Sequence, residues 1–575
     1  MKNYDIARIL HEIAIYEGMK GEKFKPRAYE KAALYIGSLN DDLGTIYKNG
    51  GVKALMELPG IGRNIAEKLV ELIQTGELAY YEELKKEIPV DITILSSIEG
   101  MGPKKVKVLY EKLGITNIEE LEKSIREKRV RDLQGFGEKS EKKILNGIEF
   151  FKKSHGGRFI LGLVLNTFED ILHQLKSLDT VKNVQLAGSA RRMKQSIGDA
   201  DFLAASYKPD KVMDFFTSMP EVAHIHTKGT TKSTVRLKSG INCDLRIVPE
   251  ESFGAALQYF TGSKQHNVVL RTMALHKGYK LNEYGLYDKR NRQIAGRTEE
   301  SIYLKLGLPL IPPELREDKG EIEAARDGRL PKLVGYDDLK GDLQIHTDWT
   351  DGNNAIIEMA QAAKKAGLEY IAITDHSRTL EIARGLNKEK LKEQEKEIKK
   401  VNDTMKHNEG ITILSGVEVN ILKDGSLDLD NNILKEFDIV GAAVHSYFSL
   451  SKEEQTKRLV SAMYNTNIDI LFHPTCRVIQ KRQPLDVDFD KILDVSKETN
   501  TILEVDSSPE RLDLQDEYIQ HAVENKCKLI IDSDAHDKSH FHFLKFGISQ
   551  ARRGWAEKKD VINTLPLEKF LKSLK

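Results

Sequence analysis

From Lys340 onward the chain alternates short apolar runs ("YIAITDH", "DIVGAAVHS", "DILFHPT", "TILEVD", "KLIIDSDAH") with amphipathic helical stretches. Few folds accept that pattern. Short apolar runs separated by helices read as buried parallel strands, and the expected architecture is a distorted α/β barrel of the TIM-like kind. In such folds the chemistry sits at strand C-terminal ends. His376, His445, His473 and His536 all fall at or just beyond such ends.

A chain of 575 residues is too long for one core and should divide into several domains. No run of 18 or more apolar residues occurs and the first residues carry charges throughout, so neither a membrane span nor a signal peptide is expected. Cys243, Cys476 and Cys527 are scattered and odd in number, which excludes a disulfide framework and a C-x-x-C zinc knuckle. A cytoplasmic protein is the default. The zero net charge hides an asymmetry. Residues 1–335 hold 54 Lys and Arg against 46 Asp and Glu, whereas the remainder holds 34 against 42. A mildly basic first part suits phosphate binding, and an acidic second part suits cations.

Up to about residue 155 the pattern is helical, and one phrase recurs. "ELPGIGRNIAEKL" (Gly60, Gly62), "SIEGMGPKKVKVL" (Gly100, Gly102) and "DLQGFGEKSEKKI" (Gly135, Gly137) each place a Gly-x-Gly turn before a basic helix start. Glycines let the backbone approach a phosphate, and the following helix offers unpaired N–H groups to it. A single copy reads equally well as a helix C-cap; three copies point to helix-hairpin-helix binding of a DNA backbone, which reads no base sequence.

Between about residues 158 and 255 "VKNVQLAGSA", "ADFLAASY", "STVRLKS" and "INCDLRIVP" read as strands. Asp199 and Asp201 stand two apart, so both carboxylates face one side, and Asp244 faces outward from a neighbouring strand. Asp-x-Asp alone is more often a turn. Three carboxylates converging from adjacent strands, however, suit two divalent cations roughly 4 Å apart. Gly188 and Ser189, with Arg191 and Arg192, supply backbone and guanidinium groups for phosphates.

With "LQYFTGSKQHNVVLR" added, the chain resembles a family X DNA polymerase over essentially its whole length, and the last domain resembles the polymerase and histidinol phosphatase (PHP) domain that bacterial and archaeal members carry. The resemblance implies residues 1–85 as a helical domain binding a gap's 5′-phosphate, 86–157 as a helix-hairpin-helix fingers-type domain, and 158–255 as an α/β nucleotidyltransferase palm. Residues 256–318 follow as a thumb, 319–339 as a linker and 340–575 as the PHP barrel. It implies that Asp199, Asp201 and Asp244 hold two Mg2+ (or Mn2+), with Asp244 helping to activate the primer 3′-hydroxyl. Ser189, Arg192 and Gly198 would contact the triphosphate beside Gly188, and Tyr259, Phe260 and Gly262 would line the sugar pocket. Asn267 would face the minor-groove edge of the incoming nucleotide and Arg271 the templating strand. Lys264 and Asn242 depart from the animal repair enzyme's pattern without removing a metal ligand. Lys68, with Lys25 and Tyr29 nearby, takes the position of the family's Schiff-base lysine. That chemistry needs a partly deprotonated amine, and Asn64 stands at a companion basic position, so an ordinary helix lysine is the competing reading.

The barrel places His346, Asp351, His376, Glu418, His445, His473, Asp534 and His536 at strand ends, a ligand set suited to zinc, manganese or iron. A lone histidine is usually packed or capping; eight such residues at one face point to a metal centre. The PHP resemblance implies two to three metals and hydrolysis of phosphoesters. Glu418 would bridge two metals, His445 and His473 would complete one of them, and Asp351, His376 and His536 would form another. The remaining site would use His346, Asp534, Glu418 and the position of Gln344, where a neutral amide replaces an imidazole.

The expected function is template-directed transfer of a dNTP to a primer 3′-hydroxyl at short gaps in DNA repair, of the base-excision kind. A metal-dependent 3′-5′ exonuclease, with AP endonuclease activity, is expected in the barrel. Expected partners are gapped or primed DNA and dNTP, with no membrane, and the chain is expected to be a monomer. A terminal transferase shares the palm, and primer extension without template separates it. The rival reading is a DNA-end-binding module whose PHP domain is inactive or hydrolyses a small phosphoester.

Overall fold

The computed structural model describes residues 1–575 apart from 1–2, 23, 40–42, 99–100, 134, 156–157, 381–382, 409 and 575. The chain divides into two compact units, Met1–Gly157 with Arg477–Gln483, and Arg158–Cys476 with Pro484–Lys575.

The first unit is helical. In Arg63–Thr75, Ile65, Ala66, Leu69 and Leu72 recur at helical spacing and are buried together. Each large apolar side chain so buried contributes roughly 1.5–3 kcal/mol. The helix stops at Gly76, whose left-handed backbone (φ 78°) caps it. Pro103 opens Pro103–Leu113, where its missing N–H costs nothing, and Gly114 closes it. These faces meet one core that includes Leu10, Ile13, Ile36 and Leu121.

The second unit contains two larger sheets. The first has strands β1 (Val181–Leu186), β2 (Asp199–Ser206), β3 (Val222–Lys228), β4 (Lys232–Leu237) and β5 (Asn242–Val248), in the order β1-β2-β5-β4-β3. β2 and β5 run parallel with Asp201 opposite Asp244. The expected strands are present with two differences. β3 was not anticipated, because it lies at the sheet edge with six of its seven side chains exposed and so carries no alternation of apolar and polar residues. In "VKNVQLAGSA" the strand ends at Leu186, and Gly188–Arg191 forms a helical turn. Helices Phe253–Thr261 and Lys264–His276 follow, with a small three-stranded sheet; one core joins Leu270, Leu281, Ile302 and Tyr303. The stretch expected as a linker carries its own helix, Glu321–Arg326, whose Ile322 and Ala325 belong to that core.

The second sheet has seven parallel strands in sequential order: β6 (Gly341–Asp342), β7 (Tyr370–Ile373), β8 (Thr412–Asn420), β9 (Ile439–Ala443), β10 (Ile470–Leu471), β11 (Ile502–Asp506) and β12 (Leu529–Asp532). It is nearly closed. Beyond the last regular pairs, Ile345 bridges Ala535 in parallel fashion, and the Asp532 carboxylate accepts from the Leu343 N–H at 2.7 Å. The expected distorted α/β barrel is therefore present, and its closure brings the C-terminal ends of first and last strands together.

Candidate functional site

The eight predicted ligands of the barrel form one connected cluster with Glu418 at its middle. Glu418, on β8 and 1% exposed, touches four imidazoles: its Oε2 lies 3.2 Å from His346 Nε2 and 3.2 Å from His376 Nδ1, and its Oε1 lies 3.2 Å from His445 Nε2 and 3.1 Å from His473 Nε2. Asp351 Oδ2 lies 3.6 Å from both His376 Nε2 and His536 Nε2, and Asp534 Oδ1 lies 3.2 Å from His346 Nε2. Among the described residues two sets of ligand atoms lie mutually within 4.8 Å, His346-Asp351-His376-His536 and His376-Glu418-His445, so His376 belongs to both.

The donor set fits cations. Both nitrogens of His346, His376 Nδ1 and Glu418 Oε2 are buried without a hydrogen-bond partner, an arrangement that is expensive unless a cation satisfies it. Outer contacts aim the rings. His445 Nδ1 is fixed by Asn420 Oδ1 at 2.7 Å, and His536 Nδ1 by the Asp534 carbonyl at 2.8 Å, which leaves each Nε2 facing inward. Burial disfavours the charged form of Glu418, but His376 and His445 outweigh it and hold the carboxyl far below its ordinary range. His473 (φ 29°) and Asp534 (φ 51°) sit in the left-handed region, at roughly 1–3 kcal/mol each. The Glu504 carboxylate takes the His473 N–H at 2.5 Å and helps to hold that conformation.

Gln344, at the position expected to complete the remaining metal site, has a buried acid as its partner. With its amide nitrogen turned toward Glu504 it donates to both carboxylate oxygens, at 2.5 and 3.2 Å. That acid belongs to a buried group that the sequence reading missed, Glu504, Asp506 and Asp532, all pushed well above the usual carboxylate range, chiefly by burial, with Asp532 and Asp506 adding to it at Glu504, Asp534 at Asp506 and Asp342 at Asp532. Arg511 Nε approaches Asp506 at 3.5 Å and Asp534 at 3.7 Å. The signal was available, since "LEVD" and "IDSD" place an acid on every second position of a strand facing the barrel axis.

In the five-stranded sheet Asp199 is exposed and Asp201 half-buried, side by side on β2, with Asp244 beside Asp201. Burial, then Asp199 and Asp244, push the Asp201 carboxyl up to about 6. Three hard oxygen donors repelling one another suit Mg2+ or Mn2+. The three do not form a set within 4.8 Å among the described residues. Asp244 is held aside by Thr234 Oγ1 and Lys232 Nζ, both at 2.6 Å, and Lys232 is a neighbour the sequence reading did not name. Gly188 has φ 63° and sits against Asp201; a Cβ there would lie 2.4 Å from Asp201 Oδ2, so only glycine fits.

Ser189 lies on the helical turn after Gly188, Gly198 immediately precedes β2, and Arg192 Nη1 donates to the Thr261 carbonyl at 2.5 Å, next to Gly262. Tyr259 and Phe260 form an edge-on pair, with Arg246 over the Phe260 ring at 4.6 Å. Asn267 is anchored within the fold: its Oδ1 accepts from Gln258 at 2.6 Å and its Nδ2 donates to the Tyr259 carbonyl at 2.7 Å, which leaves one N–H of the amide unused by these bonds. Arg271 is exposed one turn further along the same helix.

In the helical unit Lys25, Tyr29, Gly60, Gly62, Asn64 and Lys68 line one cavity of about 510 Å³ together with Tyr80. Lys68 Nζ donates to Asn64 Oδ1 at 2.6 Å and lies 4.8 Å over the Tyr80 ring. Burial pulls its ammonium below the ordinary lysine range, with Lys25 adding to the effect and Glu67, Glu17 and Glu71 opposing it. Gly60 (φ 76°) and Gly135 (φ 85°) take the left-handed turn, while Gly62 and Gly102 cap the helices that follow and Gly137 accepts from the Glu141 N–H. Nothing stands within 4 Å of a Cβ at Gly62, Gly102, Gly135 or Gly137, so their backbone is open to a ligand. Gly100 lies outside the described residues.

The chain is similar to known proteins along its length. Residues 1–78 match a helix-hairpin-helix domain, 92–149 a SAM-like helix-hairpin-helix tandem, 256–317 a DNA polymerase beta thumb and 342–508 a PHP domain. The chain is 38% identical over 579 residues, covering all of both proteins, to the DNA polymerase/3′-5′ exonuclease PolX of Bacillus subtilis (strain 168). It is 24% identical over 350 residues to DNA polymerase lambda of Rattus norvegicus, covering 55% of this chain and 56% of that protein. A probable phosphatase of Thermoanaerobacter sp. (strain X514) is 33% identical over 211 residues, 34% of this chain and 78% of that protein.

Proposed function

This chain belongs to the family X DNA polymerases that carry a C-terminal PHP domain, and on that basis we propose that it fills short gaps in damaged DNA and trims primer 3′ ends with its barrel. The observation that carries the proposal is the presence of two separate cation-suited centres in one chain, the aspartates of β2 and β5 and the imidazole ring around Glu418.

In the extension step the primer 3′-oxygen bonds to the α-phosphorus, the bond to the β-phosphate bridge breaks, and pyrophosphate leaves. Asp244 takes up the hydroxyl proton, Ser189 and Arg192 hold the triphosphate with Gly188 and Gly198, and Tyr259, Phe260 and Gly262 flank the sugar. In the trimming step a water oxygen loses a proton and attacks the terminal phosphodiester, the bond to the penultimate 3′-oxygen breaks, that oxygen takes up a proton as the new 3′-hydroxyl, and a 5′-monophosphate departs. The imidazoles position the phosphate and the water. When bound, divalent cations supply the positive charge that both steps need on the phosphate oxygens, held by Asp199, Asp201 and Asp244 in one centre and by the eight barrel ligands in the other. The same barrel centre hydrolyses the backbone at an abasic site. In the helical unit's cavity the neutral amine of Lys68 bonds to C1′ of a 5′-deoxyribose phosphate with loss of water. A C2′ proton is then lost as the C3′–O bond breaks, the 5′-phosphorylated DNA departs, and water releases the sugar from the lysine.

A one-nucleotide-gapped duplex with labelled primer tests this in one gel. Extension is expected with Mg2+ and dNTP, and shortening with Mn2+ alone. Binding without either product would favour a DNA-end-binding module, and extension of an untemplated end would favour a terminal transferase.

A further inference from the structure

Arg192 is held in place by more than the palm. Its Nη1 donates to the Thr261 carbonyl at 2.5 Å and its Nε to Glu317 Oε1 at 3.0 Å, two bonds that fix the plane of a rigid guanidinium. Glu317 in turn accepts from Arg553 Nη1 at 3.1 Å. Arg553 is the last residue of the barrel helix Leu544–Arg553, and its side chain is 2% exposed. The same Nη1 reaches the Arg192 carbonyl at 2.8 Å, while Nη2 donates to Asp516 Oδ2 at 2.6 Å. Lys194 stands 3.7 Å from Glu317. Burial disfavours the charged Glu317, yet Arg192 and Arg553 outweigh it and keep the carboxyl below its ordinary range. A buried ion pair gains little stability over an apolar substitute, so an orienting role is the better account of a charge placed here.

We propose that Arg553, a residue of the PHP barrel, is a positioning residue for nucleotide incorporation: through Glu317 and the Arg192 backbone it sets the guanidinium that binds the incoming triphosphate. The inference rests on the reading of Arg192 as a triphosphate ligand. Arg192 uses Nε and Nη1 within the protein, and Nη2 is the edge left for a phosphate. Loss of Arg553 lets Glu317 and Arg192 turn together, so the nucleotide binds a guanidinium that is no longer aimed.

The test is steady-state filling of a one-nucleotide gap by the full chain, wild type against Arg192→Ala, Arg553→Ala, Glu317→Gln and the Arg192→Ala/Arg553→Ala double variant. Mn2+-dependent exonuclease rate and thermal melting are measured on the same preparations. Arg192→Ala should raise the dNTP KM about tenfold. Arg553→Ala and Glu317→Gln should each raise it about fivefold with kcat changed less than about twofold, and the double variant should be no worse than Arg192→Ala alone. Exonuclease rate should stay at the wild-type level. If Arg553→Ala fails to fold, Glu317→Gln, which keeps the side chain's shape, decides alone. An unchanged or lowered KM in Arg553→Ala and Glu317→Gln beside a raised one in Arg192→Ala overturns the inference, a lowered value meaning that Glu317 competes with the nucleotide. Multiplying effects in the double variant overturn it as well. If Arg192→Ala itself leaves KM unchanged, the triphosphate reading fails and takes this inference with it.

Discussion

The two cation-suited centres of the second unit are built in opposite ways. The β2–β5 centre is all carboxylate, lies on two adjacent strands of an open sheet, and leaves Asp199 exposed and Asp244 drawn toward Lys232. The barrel centre is mostly imidazole, gathers ligands from around a nearly closed ring, and buries Glu418 among four rings. An open sheet supplies ligands from two neighbouring strands only, and here the three carboxylates do not all come within 4.8 Å of one another. A closed barrel converges its strand ends on one point, so its site stands complete beforehand.

The most severe test of that contrast is Asp201→Asn. Primer extension should fall by at least about 10³-fold while barrel-dependent trimming continues, and equal loss of both would mean the centres are not independent. The converse variant, Glu418→Gln, should lower exonuclease rate by about 10²- to 10³-fold and remove most tightly bound transition metal, measured by elemental analysis of the purified protein, with gap filling preserved. Retained metal in that variant would place the barrel ligands elsewhere.

A smaller effect separates ligand from neighbour at Gln344. Because its amide is tied to Glu504, Gln344→Ala should leave metal content unaltered and lower stability by about 1–3 kcal/mol, read from the melting curve, through an unpaired buried carboxyl. Gln344→His should tighten Mn2+ binding by about tenfold if the imidazole leaves Glu504 for the ring. Loss of metal in the alanine variant would put the amide back among the ligands.

The smallest effect concerns the Lys68 cavity, where the proposed chemistry needs no cation. Borohydride trapping of a 5′-deoxyribose-phosphate substrate at Lys68 should persist in EDTA. The amine reacts only when neutral, so trapping should rise with pH through its pKa. That pKa lies below an ordinary lysine's, so the rise should begin at lower pH than for an exposed lysine. Lys68→Ala should abolish the crosslink, and an undiminished crosslink in that variant would move the chemistry to another amine.

Much of this was legible residue by residue. The Gly-x-Gly repeats, the Asp199–Asp201 spacing and the histidines closing apolar runs are local patterns, and local patterns survive in one dimension. Strand β3 was missed because an exposed edge has no period-two alternation. Glu504, Asp506 and Asp532 were missed although the alternation was present, because acids inside a strand look like solvent-facing positions until the barrel closes around them. Lys232 and Asp244, and Asn267 and Gln258, meet only through strand register and helix packing.

The sequence by itself singled out side chains that the fold brings together, since ligand chemistry resides in residue type and spacing. Only the tertiary structure decided how those side chains are held. It tied Gln344 to a buried acid, drew Asp244 onto a lysine, and fastened Arg192 through Glu317 to Arg553 from 361 positions away. Pairings across such separations depend on where the backbone crosses itself, which no local pattern encodes.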